Sequence, residues 1–254
     1  FRRNKDKIFD IVVSPPLKSI AERLYGIRQV YVAKSTYKRE TEGNTEESND
    51  FDAYEKIIIL RLSSDFYSVI KSISFDKIET HLWSITKYGA HLLKSLLVRQ
   101  YPKQWRDINF ELLGGQPKEI GLDEILDFKK SDYERVSKLF ISDENRKKII
   151  IHTGTNWAMK HWATEKWIEL IEKINKLSNF VFIFVGVNND VQDYLEISSK
   201  LKFTAYSLID KINLLDLMIL LKKSDFFIGV DSGPSNMSYL TNMRTITIFG
   251  PGPH

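Results

Sequence analysis

Four small and polar segments in the C-terminal part of the chain each follow an apolar run, and their residue types suit phosphate binding. They are "TGTNWAMKHW" (153–162), "GVNND" (186–190), "DSGPSN" (231–236) and "GPGPH" (250–254). In open parallel sheets, ligands bind outside the carboxyl ends of the strands. If the apolar runs are parallel strands, the four segments therefore meet at one edge and form a binding site there.

The tetrapeptide "DSGP" predicts an anion cradle at the start of a helix. Ser232 and Gly233 can direct backbone N–H groups at a phosphate, and Ser232 adds its hydroxyl. The positive end of the helix dipole points to the same place. Pro234 suits the first turn of that helix. Lys160, from a neighbouring loop, adds a mobile cation, and Asp231 accepts hydrogen bonds from sugar hydroxyls. Taken alone, the tetrapeptide favours a plainer interpretation, in which Asp231 is a buried N-cap and the turn residues bind nothing.

Strands and helices that could position these segments alternate from residue 148 onward. Apolar runs predict strands at 148–152, 179–186, 225–230 and 245–249, and helical spacing predicts helices at 163–177, 190–201 and 212–224. Thr164 is the predicted N-cap of the first of these helices. Apolar strands that alternate with amphipathic helices are typical of a parallel sheet covered on both faces. The sequence therefore predicts a Rossmann-like α/β domain.

The N-terminal part of the chain is less regular. Apolar patterns predict strands at 9–14, 29–33 and 56–62 and helices at 17–27 and 75–101. Glycine and proline cluster around 112–121, as in a linker. The predicted organisation is an N-terminal domain at 1–115, a linker region at 116–147 and a C-terminal domain at 148–254. Because Phe1 opens the chain and His254 follows directly on a strand-and-turn signal, both domains are expected to be incomplete.

The composition excludes several classes of function. The chain has 254 residues, of which 43% are hydrophobic and 28% charged, as in soluble globular proteins. Its net charge of +4 is scattered without a basic stripe, so nucleic acid is not an expected partner. The absence of cysteine excludes disulfides, thiolate nucleophiles and thiolate metal ligands. No apolar stretch has the length of a membrane span and no signal peptide opens the chain, which predicts a cytoplasmic location.

Three stretches together resemble glycosyltransferase family 9, the ADP-heptose:lipopolysaccharide heptosyltransferases. They are "HTGTNWAMKHWATEKWIELI", "FVGVNND" and "FFIGVDSGPSNMSYLTNMRTITIFGP". The family carries a Lys-x-Trp element, then a D-[ST]-G-x-x-H loop and an F-G-P turn. Here "KHW" (160–162), "DSG" (231–233) and "FGP" (249–251) occur in that order. The resemblance covers about residues 148–254 and extends weakly to 9–27.

The resemblance implies an inverting, metal-independent glycosyltransferase of the GT-B type. In that fold two Rossmann-like domains face a cleft, the N-terminal one on the acceptor side and the C-terminal one holding the nucleotide sugar. No cofactor or metal is expected. The implied partners are ADP-heptose as donor and a lipopolysaccharide core acceptor, at the cytoplasmic face of the inner membrane. Basic and aromatic residues at 91–106 would give peripheral membrane contact, although an ordinary packed helix explains them equally well.

The same resemblance assigns roles to individual residues. Lys160 would contact the diphosphate or the sugar and stabilise the leaving group. Asp190 would bind the ribose hydroxyls, and Ile212 would lie beside the adenine. The implied donor site comprises Thr153, Gly154, Thr155, Lys160, Asp190, Ile212, Asp231, Ser232 and Gly233.

Two departures from the family pattern concern proton transfer. Asn236 stands where the family has histidine. No clean match exists for the aspartate that serves as general base, which is expected to precede Phe1. Asp65, in "IIILRLSSDFYSVI" (57–70), is a weaker candidate, and a surface turn is the favoured interpretation of that stretch.

Other interpretations stay open. A non-catalytic nucleotide-binding or scaffold protein of the same fold would tolerate Asn236, and a family 9 enzyme could use another sugar or a protein acceptor. A dehydrogenase or P-loop NTPase is disfavoured because neither G-x-G-x-x-G nor G-x-x-x-x-G-K-[ST] occurs. His152 is interpreted as a core or rim histidine rather than a base. His161 has an equal claim to donor contact and to packing, and Trp157 is expected to be exposed.

Overall fold

The computed structural model describes residues 8–32, 54–59, 78–80, 121–139, 146–155 and 157–250. The chain divides into two compact units, one formed by residues 1–11, 16–30 and 121–254 and the other by residues 12–15 and 31–120. The first unit contains the predicted donor-site residues. Across the described ranges, no helix combines the length and the apolar character needed to cross a membrane.

The N-terminal elements are short. Strands β1 (Phe9–Val13) and β2 (Ile27–Val32) form a two-stranded sheet, and β3 (Ile57–Ile59) pairs in parallel with β4 (Ile78–Thr80). Between β1 and β2 lie a 3₁₀ turn (Pro15–Leu17) and helix α1 (Lys18–Ala21).

Two predictions for this part are wrong. The helix predicted at 17–27 ends at Ala21, because Leu24 forms an antiparallel bridge to Leu126 and Gly26 adopts a positive φ of 81°. The helix predicted at 75–101 is wrong at 78–80, where the chain forms β4 and pairs with β3. The other residues of that predicted helix lie outside the described ranges.

Five parallel strands form the central sheet of the first unit. They are β5 (Lys148–His152), β6 (Val181–Phe184), β7 (Tyr206–Ser207), β8 (Phe226–Val230) and β9 (Arg244–Ile248). Their order is β7-β6-β5-β8-β9, so the chain runs outward from β5 in one direction and then returns to continue on its other side. The strand order therefore reverses between β5 and β8, which is where open α/β sheets bind ligands.

Helices cover both faces of this sheet. They are α2 (Leu122–Ile125), α3 (Lys130–Leu139), α4 (Thr164–Leu177), α5 (Val191–Lys200), α6 (Leu214–Lys222) and α7 (Gly233–Leu240). Alternate strand residues point to opposite faces. Ile149 and Ile151 pack with α4 and α5, whereas Ile150 packs with α3 and α6. The strands predicted at 148–152, 179–186, 225–230 and 245–249 are confirmed, each within a few residues.

Helix α6 has a side-chain N-cap, whereas the N-cap predicted for α4 is wrong. Asn213 caps α6, since its side-chain oxygen accepts the Asp216 N–H at 2.9 Å. Thr164 was predicted to cap α4 but is its first helical residue, and Ala163 occupies the cap position without a side-chain hydrogen bond. Helix α4 is stabilised by packing rather than by a cap, because burial of Trp167 and of Ile171 each contributes about 2 kcal/mol to the stability of the fold.

A charged cluster joins the segment after α1 to helices α3 and α6. The Asp132 carboxylate is 1% exposed and accepts hydrogen bonds from Arg23 and Arg135, both at 3.1 Å. Arg135 also donates to Asp216, its Nη2 lying 2.7 Å from Oδ1. Residues 16–30 are therefore fixed to the sheet-containing unit by charge as well as by the apolar contacts of Leu24. The domain boundaries at 115 and 147 stay a prediction.

Candidate functional site

The loops that follow β5 and β8 begin side by side at the point where the strand order reverses. His152, the last residue of β5, lies opposite Gly229 of β8 in the parallel register. The chain then enters 153–155 on one side and 231–233 on the other. Two of the four segments predicted to converge are thus brought together by neighbouring central strands.

The N-terminus of α7 lacks the side-chain cap that its sequence would lead one to expect. Ser232 occupies the cap position with an extended backbone, but its hydroxyl makes no capping bond. It lies 3.0 Å from Val230 O and 3.0 Å from His152 Nδ1 instead. Asn236 N–H donates to Ser232 O in the first helical bond, whereas the N–H groups of Gly233 and Ser235 precede that ladder. The first turn of α7 is chemically suited to an anion.

A lysine and an aspartate from the two loops form an ion pair beside this helix end. Lys160 ends a 3₁₀ turn (Ala158–Lys160), and its Nζ pairs with Asp231 Oδ2. The two side chains are 22% and 31% exposed, so both remain within reach of a ligand. Lys160 Nζ also lies 5.6 Å from the ring centroid of Trp157, which is 47% exposed, as expected.

Gly250 allows the segment after β9 to approach the turn that carries Lys160. A Cβ atom at this position would lie 2.7 Å from Met159 O and 2.9 Å from Lys160 Cα. Because both neighbours are backbone atoms, a larger residue would displace the turn. The glycine of "FGP" thus helps to fix the position of Lys160.

Asp190 is buried where the loops after β5 and β6 meet. Its Oδ2 accepts the Val187 N–H at 2.8 Å and lies 3.7 Å from His152 Nε2. A Cβ on Gly154 or on Gly186 would lie 1.8 Å or 2.1 Å from its carboxylate oxygens. Asp190 therefore closes its own turn and packs on two glycines, and its predicted contact with ribose hydroxyls stays a prediction.

The surroundings of His152 favour the neutral imidazole. Burial lowers the pKa of His152, and the nearby Asp190 carboxylate opposes that effect without reversing it. The Ser232 hydroxyl donates its one proton to Val230 O, so its contact with His152 is a hydrogen bond in which Nδ1–H donates to Oγ, and Nε2 is then the unprotonated nitrogen of the neutral ring. The buried, hydrogen-bonded position agrees with the interpretation of His152 as a core histidine.

Comparisons with known proteins identify the family. Residues 99–254, more than half of the chain, match glycosyltransferase family 9 (heptosyltransferase). This chain belongs to glycosyltransferase family 9. The lipopolysaccharide heptosyltransferase 1 of Campylobacter coli is 31% identical over 115 residues, which are 43% of this chain and 33% of that protein. The match thus spans a third of the length of that curated relative.

Solved structures of family 9 proteins share the fold. The family 9 glycosyl transferase of Veillonella parvula matches with a TM-score of 0.68 at 13% identity, over 95% of this chain and 72% of that one. The E. coli heptosyltransferase WaaC, solved with ADP, matches with a TM-score of 0.62 at 16% identity, over all of this chain and 80% of that one. The predicted α/β fold of the GT-B type is confirmed, as is the resemblance to the family.

The remaining site residues predicted for this family 9 protein lie in different surroundings. Thr153 is 2% exposed, and the Thr155 hydroxyl accepts the Trp157 N–H at 3.2 Å. Ile212 packs against the core cluster that includes Leu215. Asp65 lies outside the described residues. No three His, Asp or Glu side chains are grouped to hold a metal ion in the part of the chain that the structure describes.

The bond between His152 and Ser232 was not expected from the sequence. The two residues are 80 positions apart, and only the adjacency of β5 and β8 brings them together. A histidine at the end of one strand and a serine just after another would have indicated the contact once the strand order was known. His161, in contrast, lies 3.2 Å from Asp193 on the surface, and its contact with the donor stays a prediction.

Replacing Gly154 with alanine is expected to destabilise the protein by about 2 kcal/mol, because the new methyl group overlaps the Asp190 carboxylate. Chemical denaturation measures the change. Gly233→Ala is the matched control, since its Cβ meets no atom within 4 Å, and it should change stability by less than about 1 kcal/mol. Equal losses in the two variants would contradict the contact between Gly154 and Asp190.

The stability of the protein is expected to fall as the pH decreases through about 6.5, the ordinary pKa of histidine. The pKa of His152 is lowered in the folded state, so the unfolded chain binds its proton first and gains in relative stability. His152→Asn should flatten this part of the pH profile, measured as the free energy of unfolding between about pH 5 and 8. An unchanged slope in the variant would show that other groups control it.

Proposed function

We propose that this protein is an inverting, metal-independent glycosyltransferase that moves a heptose from ADP-heptose to a lipopolysaccharide core acceptor. Family membership supports glycosyl transfer. The observation that carries the proposal is the Lys160–Asp231 pair beside the open first turn of α7. The relative WaaC, which shares the fold, was solved with ADP and with ADP-2-deoxy-2-fluoro heptose.

The donor diphosphate occupies the space between Lys160 and the N-terminus of α7. The acceptor oxygen bonds to the anomeric carbon as the bond from that carbon to the phosphate oxygen breaks. Negative charge then develops on the departing phosphate and positive charge on the anomeric carbon. The Lys160 ammonium and the N–H groups of Gly233 and Ser235 lie ready to stabilise the phosphate charge without reorganisation. A fixed cation at this place takes the part that a divalent metal ion plays in other transferases.

Asp231 has two tasks in this scheme. Without a ligand it pairs with Lys160 and holds the ammonium beside the helix end. When the diphosphate binds, it competes for Lys160, and the released Asp231 oxygens accept hydrogen bonds from sugar hydroxyls. A carboxylate from the N-terminal domain deprotonates the acceptor hydroxyl.

The location follows from the acceptor. A lipopolysaccharide core precursor is anchored in the inner membrane, so the enzyme acts at the cytoplasmic face with peripheral contact. Residues 91–106, which contain basic and aromatic side chains, are the proposed contact segment. They lie outside the described residues.

A non-catalytic nucleotide-binding protein is the second candidate. Asn236 favours it, since this exposed residue on α7 stands where the family pattern has histidine. Such a protein would bind the donor without turning it over. A transfer assay with ADP-heptose and a lipid acceptor, run beside a binding measurement, separates the two functions.

Calorimetric titration of the full chain in EDTA tests the donor site. The ligands are ADP, ADP-mannose as a heptose mimic, UDP and NAD. We expect metal-free binding of ADP and ADP-mannose that is stronger than binding of UDP or NAD. Equal affinity for UDP would contradict the assignment of an adenine nucleotide, and no binding of any ligand would overturn the donor site.

A further inference from the structure

We propose that His152 is a positioning residue that keeps the first turn of α7 open for a phosphate by holding the Ser232 hydroxyl away from it. This role rests on the proposed donor site and adds to it a residue that does not touch the ligand. In this scheme the Ser232 hydroxyl favours phosphate binding because it does not cap the Ser235 N–H.

The first step is the unusual state of Ser232. Serine is among the best N-cap residues, and a capping hydroxyl accepts the N–H of the second or third helical residue. In α7 the second residue is Pro234, which has no N–H, so Ser235 is the one target for a cap. The structure has no such bond. The amide that a cap would occupy is therefore left for an anion.

The second step is the pair of partners that hold the hydroxyl. Ser232 Oγ lies 3.0 Å from Val230 O and 3.0 Å from His152 Nδ1, so both contacts point towards the end of the sheet. The Val230 carbonyl belongs to the same strand and loop as Ser232 and is present whatever side chain stands at 152. His152 is the partner that comes from another strand and adds the second bond.

The third step is what fixes His152 itself. The ring is 6% exposed, its Nε2 lies 3.7 Å from Asp190, and Asp190 is in turn held by the Val187 N–H. The imidazole thus has a polar group at each nitrogen and little room to rotate. Burial therefore fixes the orientation of the ring, and the Asp190 carboxylate behind it lies beyond hydrogen-bond distance.

The energetic consequence is a competition for one amide. A serine cap stabilises a helix by about 1 kcal/mol, which corresponds to about a fivefold change in an equilibrium constant. If, without the His152 contact, the hydroxyl left Val230 O and capped Ser235, a phosphate would have to displace it and would bind more weakly by at most about that factor. With His152 in place, the first turn is already in its binding state.

The test uses the different reach of asparagine and glutamine. The amide of asparagine can take the place of Nδ1, whereas that of glutamine takes the place of Nε2. His152→Asn should therefore keep the affinity for ADP, and His152→Gln should weaken it by about fivefold. Ser232→Ala leaves no hydroxyl to cap Ser235 and is the reference for the double variant.

The double variant His152→Gln, Ser232→Ala decides the mechanism. Its ADP affinity should return to that of Ser232→Ala, and adenosine, which has no phosphate, should bind all variants equally. A loss that persists in the double variant, or that also affects adenosine, would show a merely structural role. A loss in Ser232→Ala alone would show that the hydroxyl contacts the phosphate, and each of these results overturns the proposal.

A second measurement does not depend on nucleotide binding. Amide hydrogen exchange at Ser235, measured without ligand, should slow in His152→Gln because the hydroxyl then caps that amide, and it should remain fast in His152→Asn. Equal exchange in the two variants overturns the role of His152 even if ADP binds. Failure of ADP to bind the unchanged protein, with the exchange difference present, overturns the proposed function and leaves the effect of His152 on the cap established.

Discussion

Replacing Lys160 with alanine is expected to reduce the rate of sugar transfer from ADP-heptose by roughly two to three orders of magnitude. The variant removes the side-chain cation that pairs with Asp231 beside the open turn of α7. It also leaves Asp231 without its partner, so the unpaired carboxylate repels the diphosphate. Loss of attraction and gain of repulsion act in the same direction, which makes this the largest functional effect that we predict.

The matched control is Lys166→Ala. Lys166 lies on α4, its side chain is 61% exposed, and it pairs with Glu169 on the helix surface. The same chemical change at this site should leave transfer within about twofold of the unchanged protein, since exposed pairs contribute little. Transfer kinetics and ADP titration in EDTA are measured for both variants. If Lys160→Ala retains full activity, or if both variants lose it equally, Lys160 does not stabilise the leaving group.

Much of the sheet could be predicted because its strands are continuous apolar runs. The apolar side chains of "KIIIH" and "DFFIGV" predict buried strands. Because ligands bind at the carboxyl ends of parallel strands, the loops after these two runs are the predicted site. The predicted convergence of Lys160 with Asp231 rested on this reasoning and on the family resemblance. The structure brings these two residues into contact.

The surroundings of individual side chains were harder to predict. Asp190 follows a strand, as a ligand-binding carboxylate would, and nothing in the local sequence shows that Gly154 and Gly186 leave room to bury it. The missing cap on α7 is a similar case. The plainer interpretation of "DSGP" makes Asp231 the N-cap, whereas Ser232 occupies that position without a capping bond, and one partner of its hydroxyl is a histidine on a different strand. Tertiary contacts of this kind override local preference.

The N-terminal segment shows the same limit for secondary structure. Residues 17–27 have the spacing of an amphipathic helix, yet the chain leaves the helix after Ala21 and forms backbone bonds to the residues around α2. Tyr25 N–H donates to Ile125 O, and Asp127 N–H donates to Arg23 O. These bonds replace those that a longer helix would have made. The contacts that favour the shorter helix involve residues more than 100 positions away in sequence, such as the bond between Arg23 and Asp132.

Replacing Asp132 with asparagine is expected to lower the free energy of unfolding by about 2–3 kcal/mol. Asp132 is almost fully buried, and its two oxygens accept hydrogen bonds from Arg23, Arg135 and the Lys129 N–H. Burial alone would raise the pKa of this carboxyl, but the three donors and the charge of Arg23 lower it below 3.8. The ionised form is thus stabilised in the folded state, and this stability is lost as the pH falls below about 4.

Asp123→Asn is the control for this substitution. Asp123 pairs with Lys222, but its side chain is 72% exposed, so the same loss of charge should cost less than about 1 kcal/mol. Urea denaturation at pH 7 gives both values, and an unchanged dependence on urea concentration would show that only the folded state is affected. If the free energy of unfolding falls by less than about 1 kcal/mol in both variants, the buried cluster does not hold residues 16–30 on the sheet-containing unit. A large loss for Asp132→Asn alone shows that an aspartate on α3 and an arginine after α1 fix the N-terminal segment to helices α3 and α6, a contact that no local pattern in the sequence indicates.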